Sequence, residues 1–309
     1  MPPILLIILL AAFISSVYSI ATKFAVADGS VRPLPAAFFV QIIAGIIAAA
    51  FLLVNNIIPQ PAAMPYVFGV VAFALTGFVL TTTAFAREDA SVVAPVLGLK
   101  VIFLAFLESL FRQHEIGIEV VLAAVVSVIG LAFISQTDRW SLHPRDLLRP
   151  GVLIMALGAL TFSISDLFLK GAVDRWSALS VTAYALTIQA LISLTLLLAL
   201  VRLRVPAVGG LRLDQWGLLR RVRWPLLIGG VTAFAYQYFF FLAFARGENL
   251  TQINILYNSR NLMVVLLMAL LVLGGKSTVE RVGWRAYTYR TIGALLTIAA
   301  VALALIPDR

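Results

Sequence analysis

Two basic residues stand where basic residues are costly. Lys100 and Arg260 each lie about nine or ten residues into an apolar run long enough to cross a bilayer. A cation at such a depth costs about 2.5–3.5 kcal/mol on insertion scales, and it usually faces a partner or a water-filled cavity. Around Arg260, the residues Asn254, Tyr257, Asn258 and Asn261 recur at i, i+3, i+4 and i+7, which is one face of a helix. A guanidinium or ammonium beside neutral amides and a phenol is suited to holding an anion. The planar fork of an arginine binds two oxygens of a carboxylate or phosphate. The expectation is a shared central cavity in which Lys100 and Arg260 hold an anion and Asn254, Tyr257, Asn258 and Asn261 orient it.

Other charges fall inside the apolar runs. Of four lysines, Lys23, Lys100 and Lys170 are intramembrane, and so are the acids Glu108 and Asp166. Lys23 and Lys170 lie near span ends, where they can snorkel to the interface or gate the cavity. Asp166 is four residues before Lys170, so the two can pair along one helix face. Glu108 is two turns from Lys100, about 12 Å along the helix, and pairs with it only loosely. The spacing therefore predicts no close acid for Lys100 or Arg260. Asp166 or Glu108 can carry a coupling proton, although an exchanger working against a counter-substrate needs neither.

The elements that must position these residues are membrane helices. The 309 residues are 62% hydrophobic and 12% charged, with a mean hydropathy of +1.03, where a soluble domain carries roughly 25% charged residues. Ten spans are predicted, over 3–26, 35–55, 64–85, 91–111, 117–136, 151–173, 179–201, 225–245, 252–273 and 287–306. The first lacks a basic leader and a clear small-x-small cleavage site and its far end is echoed later in the chain, so it is read as a span and not as a signal peptide. Residues 202–224 read as an arginine-rich surface loop. The +9 net charge sits mostly in short loops, as an orientation signal does, so no nucleic-acid partner is expected.

The chain repeats itself. Ser16-x6-Lys23 matches Ser163-x6-Lys170, Phe85-Ala86-Arg87 matches Phe244-Ala245-Arg246, and Ser91 and Lys100 match Thr251 and Arg260 in spacing. Two units follow, 1–140 and 141–309, each of five spans. An odd number of spans inverts the second unit, the plan of secondary transporters with a midplane site. The fold class is thus an all-α membrane protein of ten transmembrane helices in two inverted five-helix repeats, acting as a monomer or weak dimer in the inner cell membrane. Loop charge places 15 cations on one side and 4 on the other, which puts both termini outside.

Other chemistry finds little support. The chain has no cysteine, and His114 and His143 fall in loops, so disulfide, metal and cofactor sites are not expected. Gly274-Gly275-Lys276-Ser277-Thr278 ends like a phosphate-binding loop, but Leu270 stands where the first glycine belongs. The span-eight aromatics Tyr236, Tyr238, Phe239, Phe240 and Phe241, with Gln237 among them, read either as lipid-facing packing or as a wall for the organic part of a substrate. Thr81, Thr82 and Thr83 read as bonding their own backbone.

Ten spans in two halves, with a lysine near the end of spans one and six, resemble the drug/metabolite transporter superfamily over essentially the whole chain. Ser16-x6-Lys23 looks like the first span of its EamA-type members. PVLGLKVIFLAFLE around Lys100 and YNSRNLMVVLL around Arg260 look more like the triose-phosphate and nucleotide-sugar branch. That branch binds substrate phosphate with Lys and Lys-Arg pairs on spans four and nine. Asn258 and Arg260 match its pattern, whereas Ser259 stands where the branch often has lysine. EamA-type chains carry a Glu shortly after spans four and nine. Glu115 fills the first place, and Gly274-Gly275-Lys276 breaks the second. The resemblance implies a transporter, not an enzyme, with both termini cytoplasmic. The expected function is secondary active transport of a small organic anion, phosphorylated, phosphonate or carboxylate. Export of neutral or zwitterionic metabolites such as amino acids is the alternative, and a lipid flippase or membrane enzyme a more distant one.

Overall fold

A computed structural model describes residues 2–26, 33–87, 96–112, 117–134, 150–203, 216–247, 249–273 and 284–304. Among these residues there is no strand. Eleven helices occur: α1 Pro2–Val26, α2 Pro33–Val54, α3 Met64–Arg87, α4 Leu99–Arg112, α5 Ile118–Ile134, α6 Pro150–Val173, α7 Ala178–Arg202, α8 Trp216–Arg246, α9 Leu250–Tyr257, α10 Ser259–Leu273 and α11 Trp284–Ala304. Stretches within α1, α2, α3, α6, α7 and α8 are long and apolar enough to cross a membrane. With the composition, they make this a multi-pass membrane protein.

The helix limits follow from local chemistry. Proline opens α2 and α6, where its missing N–H has no partner to lose. Ser177 caps α7 by accepting from the Ser180 amide at 3.2 Å, and Asn249 caps α9 by accepting from the Gln252 amide at 2.8 Å. The arginine-rich stretch is not all loop. From Trp216 onward it is helical, and α8 runs on past Pro225 to Arg246. The six-arginine loop expected over 202–224 is therefore corrected: Arg220, Arg221 and Arg223 belong to a helix.

Two interruptions matter most. Predicted span nine is not one helix. It breaks after Tyr257, with Asn258 as the αR cap between α9 and α10. The Asn258 side chain there turns to another helix, donating to Ser127 Oγ at 3.1 Å. In predicted span four, residues 96–97 are helical, Gly98 is a turn and α4 begins at Leu99. Both breaks lie two residues before the cation, Lys100 or Arg260.

The principal packing pairs are α3 with α6, α1 with α8, α5 with α11 and α2 with α7. Backbones approach closely at α2–α7, where a Cβ on Gly45 would collide with Ala190. The largest core cluster gathers Ile8, Val67, Leu104, Leu169, Phe244, Leu250 and Ile253. It lies where α8 hands over to α9 and joins α1, α3, α4, α6, α8 and α9.

Candidate functional site

A cavity of about 540 Å³ lies between the helices, lined from α1, α2, α3, the start of α4, α6, α7, α8, α9 and α10. Lys100, Asp166, Asn254, Tyr257, Asn258 and Arg260 all line it. Sequence spacing thus brings together most of the residues it singled out. Lys170 and Glu108 lie elsewhere, and the side chains of Lys23 and Asn261 lie outside the described residues, with only their backbone seen, in α1 and α10. The Gly274–Thr278 stretch, His114, Glu115 and His143 also fall outside them.

The pairing of charges differs from the expectation. Lys100 is not without an acid: its Nζ is 2.8 Å from Asp166 Oδ2. Asn254 Nδ2 donates to the same oxygen at 2.9 Å. Asp166 therefore does not pair with Lys170. Instead the Lys170 ammonium contacts Asp174 Oδ1 at 2.7 Å and donates to the Phe244 carbonyl at 3.0 Å, inside the packed end of the bundle. One helix offers Lys170 an acid on either side, four residues before or four after. The tertiary partner of Asp166 on α4 decides between them.

Glu108 is fully buried and does not face Lys100. Its carboxylate accepts from the amides of Leu250 at 2.9 Å and Thr251 at 3.0 Å, and from the Thr251 hydroxyl at 2.9 Å. The first turn of a helix has amides without partners and a partial positive charge, which a carboxylate satisfies on both counts. Glu108 thereby fastens α4 to the start of α9.

Arg260 has a different setting. Its guanidinium lies 5.0 Å from the Tyr257 ring centroid and donates to the Tyr257 hydroxyl at 3.4 Å. Tyr257 in turn donates to Ser15 Oγ at 2.7 Å. Among the described residues no carboxylate pairs with Arg260. The Tyr257 ring packs on Phe240 at 4.5 Å between centroids, and Lys100 lies 5.5 Å from the Phe240 ring. A pair of tilted rings, 41° between planes, thus joins the two cations along one wall.

The neutral stripe on span nine is less free than its periodicity implies. Asn254 is committed to Asp166, and Asn258 Nδ2 donates to Ser127 Oγ on α5 at 3.1 Å. Asn258 keeps a right-handed helical conformation and its amide still reaches the Asn254 carbonyl at 3.0 Å, so Asn254, Tyr257 and Asn258 remain on the cavity side.

Several lining residues escaped the sequence reading. Gln41 and Gln189 line the cavity and are at least nine-tenths buried, as is Gln237 from the span-eight set, and Gln41 Oε1 has no donor. Isolated amides in apolar spans were a usable signal, since a buried amide needs partners. Tyr18 and Ser19 also line it, with Tyr18 packed on Tyr236 at 5.2 Å. Of the span-eight aromatics, Tyr236, Phe240 and Phe241 line the cavity, so the wall reading describes part of that set. Thr81 and Thr83 donate to their own backbone, at 3.0 Å to Phe78 and 2.7 Å to Val79.

Two further hydrogen bonds cross the molecule. The Ser16 hydroxyl on α1 shares its proton between the Arg260 carbonyl at 2.9 Å and its own Ala12 carbonyl at 2.8 Å, and the Ser163 hydroxyl on α6 between the Lys100 carbonyl at 2.8 Å and its own Ala159 carbonyl at 3.0 Å. The serines are the pair matched by repeat spacing, and so are the cations.

Twenty-nine chains of solved structures resemble the chain in fold. One, described only as the crystal structure of a protein, aligns at a TM-score of 0.74 and 16% identity over 98% of this chain and 98% of that one, a likeness of fold alone. A search of curated proteins finds no match. Residues 2–136, reaching from the first helix just past α5, match the model of the EamA-like transporter family.

Proposed function

We propose that the chain is a secondary transporter of a small organic anion in the inner cell membrane. Units 1–140 and 141–309 act as inverted five-helix repeats that rock about the cavity. The observation that carries this reading is Arg260, a cation without a carboxylate partner among the described residues, on the wall of a cavity between the helices lined by aliphatic, aromatic and polar side chains. An uncompensated arginine in such a place is stabilised by an anionic ligand.

The repeat reading draws support from reciprocity. Ser16 bonds the carbonyl of Arg260 as Ser163 bonds that of Lys100. Helix breaks precede both cations by two residues. The packing of α1 on α8 has its counterpart in α3 on α6, while α2 pairs with α7 and α5 with α11. Discontinuous helices meeting at a central site suit alternating access. In this reading Arg260 grips the anion and Tyr257 and Asn258 position it. Asn254 serves through Asp166, and Asn261 lies one turn beyond Tyr257. Lys170 belongs to the closed gate, with Lys23 its counterpart on α1. Glu108 holds the frame, and Asp166 is the candidate for proton coupling. The finer likeness to the triose-phosphate and nucleotide-sugar branch rests on Arg260 and Asn258.

A second reading, export of zwitterionic metabolites such as amino acids, draws on the Lys100–Asp166 pair, which offers a carboxylate as well as cations. Proteoliposome uptake under competition by amino acids, carboxylates and phosphorylated compounds separates the two. The anion reading expects carboxylates or phosphates to compete and Arg260→Ala to abolish uptake. Wild-type transport of every anionic substrate by both Arg260→Ala and Lys100→Ala overturns it.

A further inference from the structure

The two cations of the cavity stand in corresponding places but carry different charge balances. Three residues beyond Ser163 on α6 is Asp166, and three residues beyond Ser16 on α1 is Ser19. Both line the cavity. Asp166 reaches Lys100 at 2.8 Å and is steadied by Asn254. Ser19 turns its hydroxyl back to the Ser15 carbonyl at 2.9 Å and brings no charge to Arg260. One cation is neutralised and the other is not, so the four groups together leave a single positive charge facing the cavity.

We infer that Asp166 sets the charge of the transported anion: the site takes a singly charged headgroup and disfavours a doubly charged one, and Ser19 is the position whose neutrality keeps Arg260 available. This rests on the organic-anion reading of the cavity and narrows it. A second negative charge on the ligand would find Lys100 already paired and would face the Asp166 carboxylate at short range, where like charges are weakly screened. The remaining walls select the body of the ligand. Phe78, Phe162, Phe240, Phe241 and Tyr236 present rings to it, and the undonated Gln41 Oε1 offers an acceptor to an O–H or N–H. The ligand class is an aromatic or otherwise apolar monocarboxylate carrying a hydrogen-bond donor.

The test compares two para-substituted benzoates of similar size, 4-hydroxybenzoate with one charge and terephthalate with two, by thermal unfolding of the purified full chain in detergent. Wild type is expected to be stabilised by 4-hydroxybenzoate at concentrations about tenfold or more below those of terephthalate. Asp166→Asn is expected to shift that ratio towards terephthalate by about tenfold. Ser19→Asp, which gives Arg260 an acid of its own, is expected to lose the response to both. The exchange Ser19→Asp with Asp166→Ser is expected to restore the monovalent preference. An unchanged ratio in Asp166→Asn overturns the assignment to Asp166 while leaving anion binding in place. Should that variant fail to unfold cooperatively, Ser19→Asp decides: a wild-type response in it overturns the inference. A wild type that responds to neither compound, and is indistinguishable from Arg260→Gln, overturns this inference, while the anion reading stands or falls on the uptake competition with phosphorylated compounds and other carboxylates.

Discussion

The Lys100 side of the cavity and the Arg260 side share a plan and differ in finish. Each cation follows a helix break by two residues, and each has its carbonyl held by a serine from across the molecule. On the Lys100 side the charge is closed off by Asp166 and Asn254. On the Arg260 side the neighbours are hydroxyls and rings. Similar backbone surroundings thus hold one cation in an ion pair and leave the other without a carboxylate among the described residues. An ion pair built into the fold gives little to a substrate, because its Coulomb energy is already committed.

The comparison breaks first at Arg260. Arg260→Ala should lower apparent substrate affinity in proteoliposome uptake by at least about 100-fold, the scale of losing a charged partner at a desolvated site, while leaving thermal stability near wild type. Lys100→Ala should do the reverse in kind. It strands Asp166, and stability should fall by about 3 kcal/mol, read from thermal or denaturant unfolding. The double variant Lys100→Met with Asp166→Asn should recover much of that loss. A double variant as unstable as the sum of its parts would show that the pair is not a unit. Glu108→Gln keeps the shape but loses the charge and one acceptor at the start of α9. Its cost should be about 1–3 kcal/mol, with hydrogen exchange rising first in α9. Tyr257→Phe removes only the bond to Ser15 and the weak one from Arg260. A cost of about 1 kcal/mol and a change of about fivefold in affinity are expected.

What the sequence made readable was whatever depends on neighbours along the chain. Apolar runs gave the helices, and equal spacing from Ser91 to Lys100 and from Thr251 to Arg260 picked out the two cations. Helix periodicity sees only partners three or four residues away, so it offered Lys170 to Asp166 and could not see Lys100 on another helix. Glu108 illustrates the same limit, since its partners are 142 and 143 residues distant. The break at Asn258 was hidden because its flanks are apolar enough to read as one span. The cavity amides Gln41 and Gln189 were passed over because each is a lone polar residue on an otherwise ordinary helix.

The crossed serine bonds have a mechanical side as well as an electrostatic one. Each charged side chain hangs from a peptide whose oxygen is tied to a helix in the other part of the molecule. A ligand that draws the Arg260 guanidinium inward pulls on that peptide, and the tie must lengthen, break or carry α1 with it. Hydrogen bonds weaken steeply once stretched and bent, so such a tie behaves less like a spring than like a latch, with an engaged and a released position. Two such ties, one at each cation, link the cavity wall to α1 and to α6.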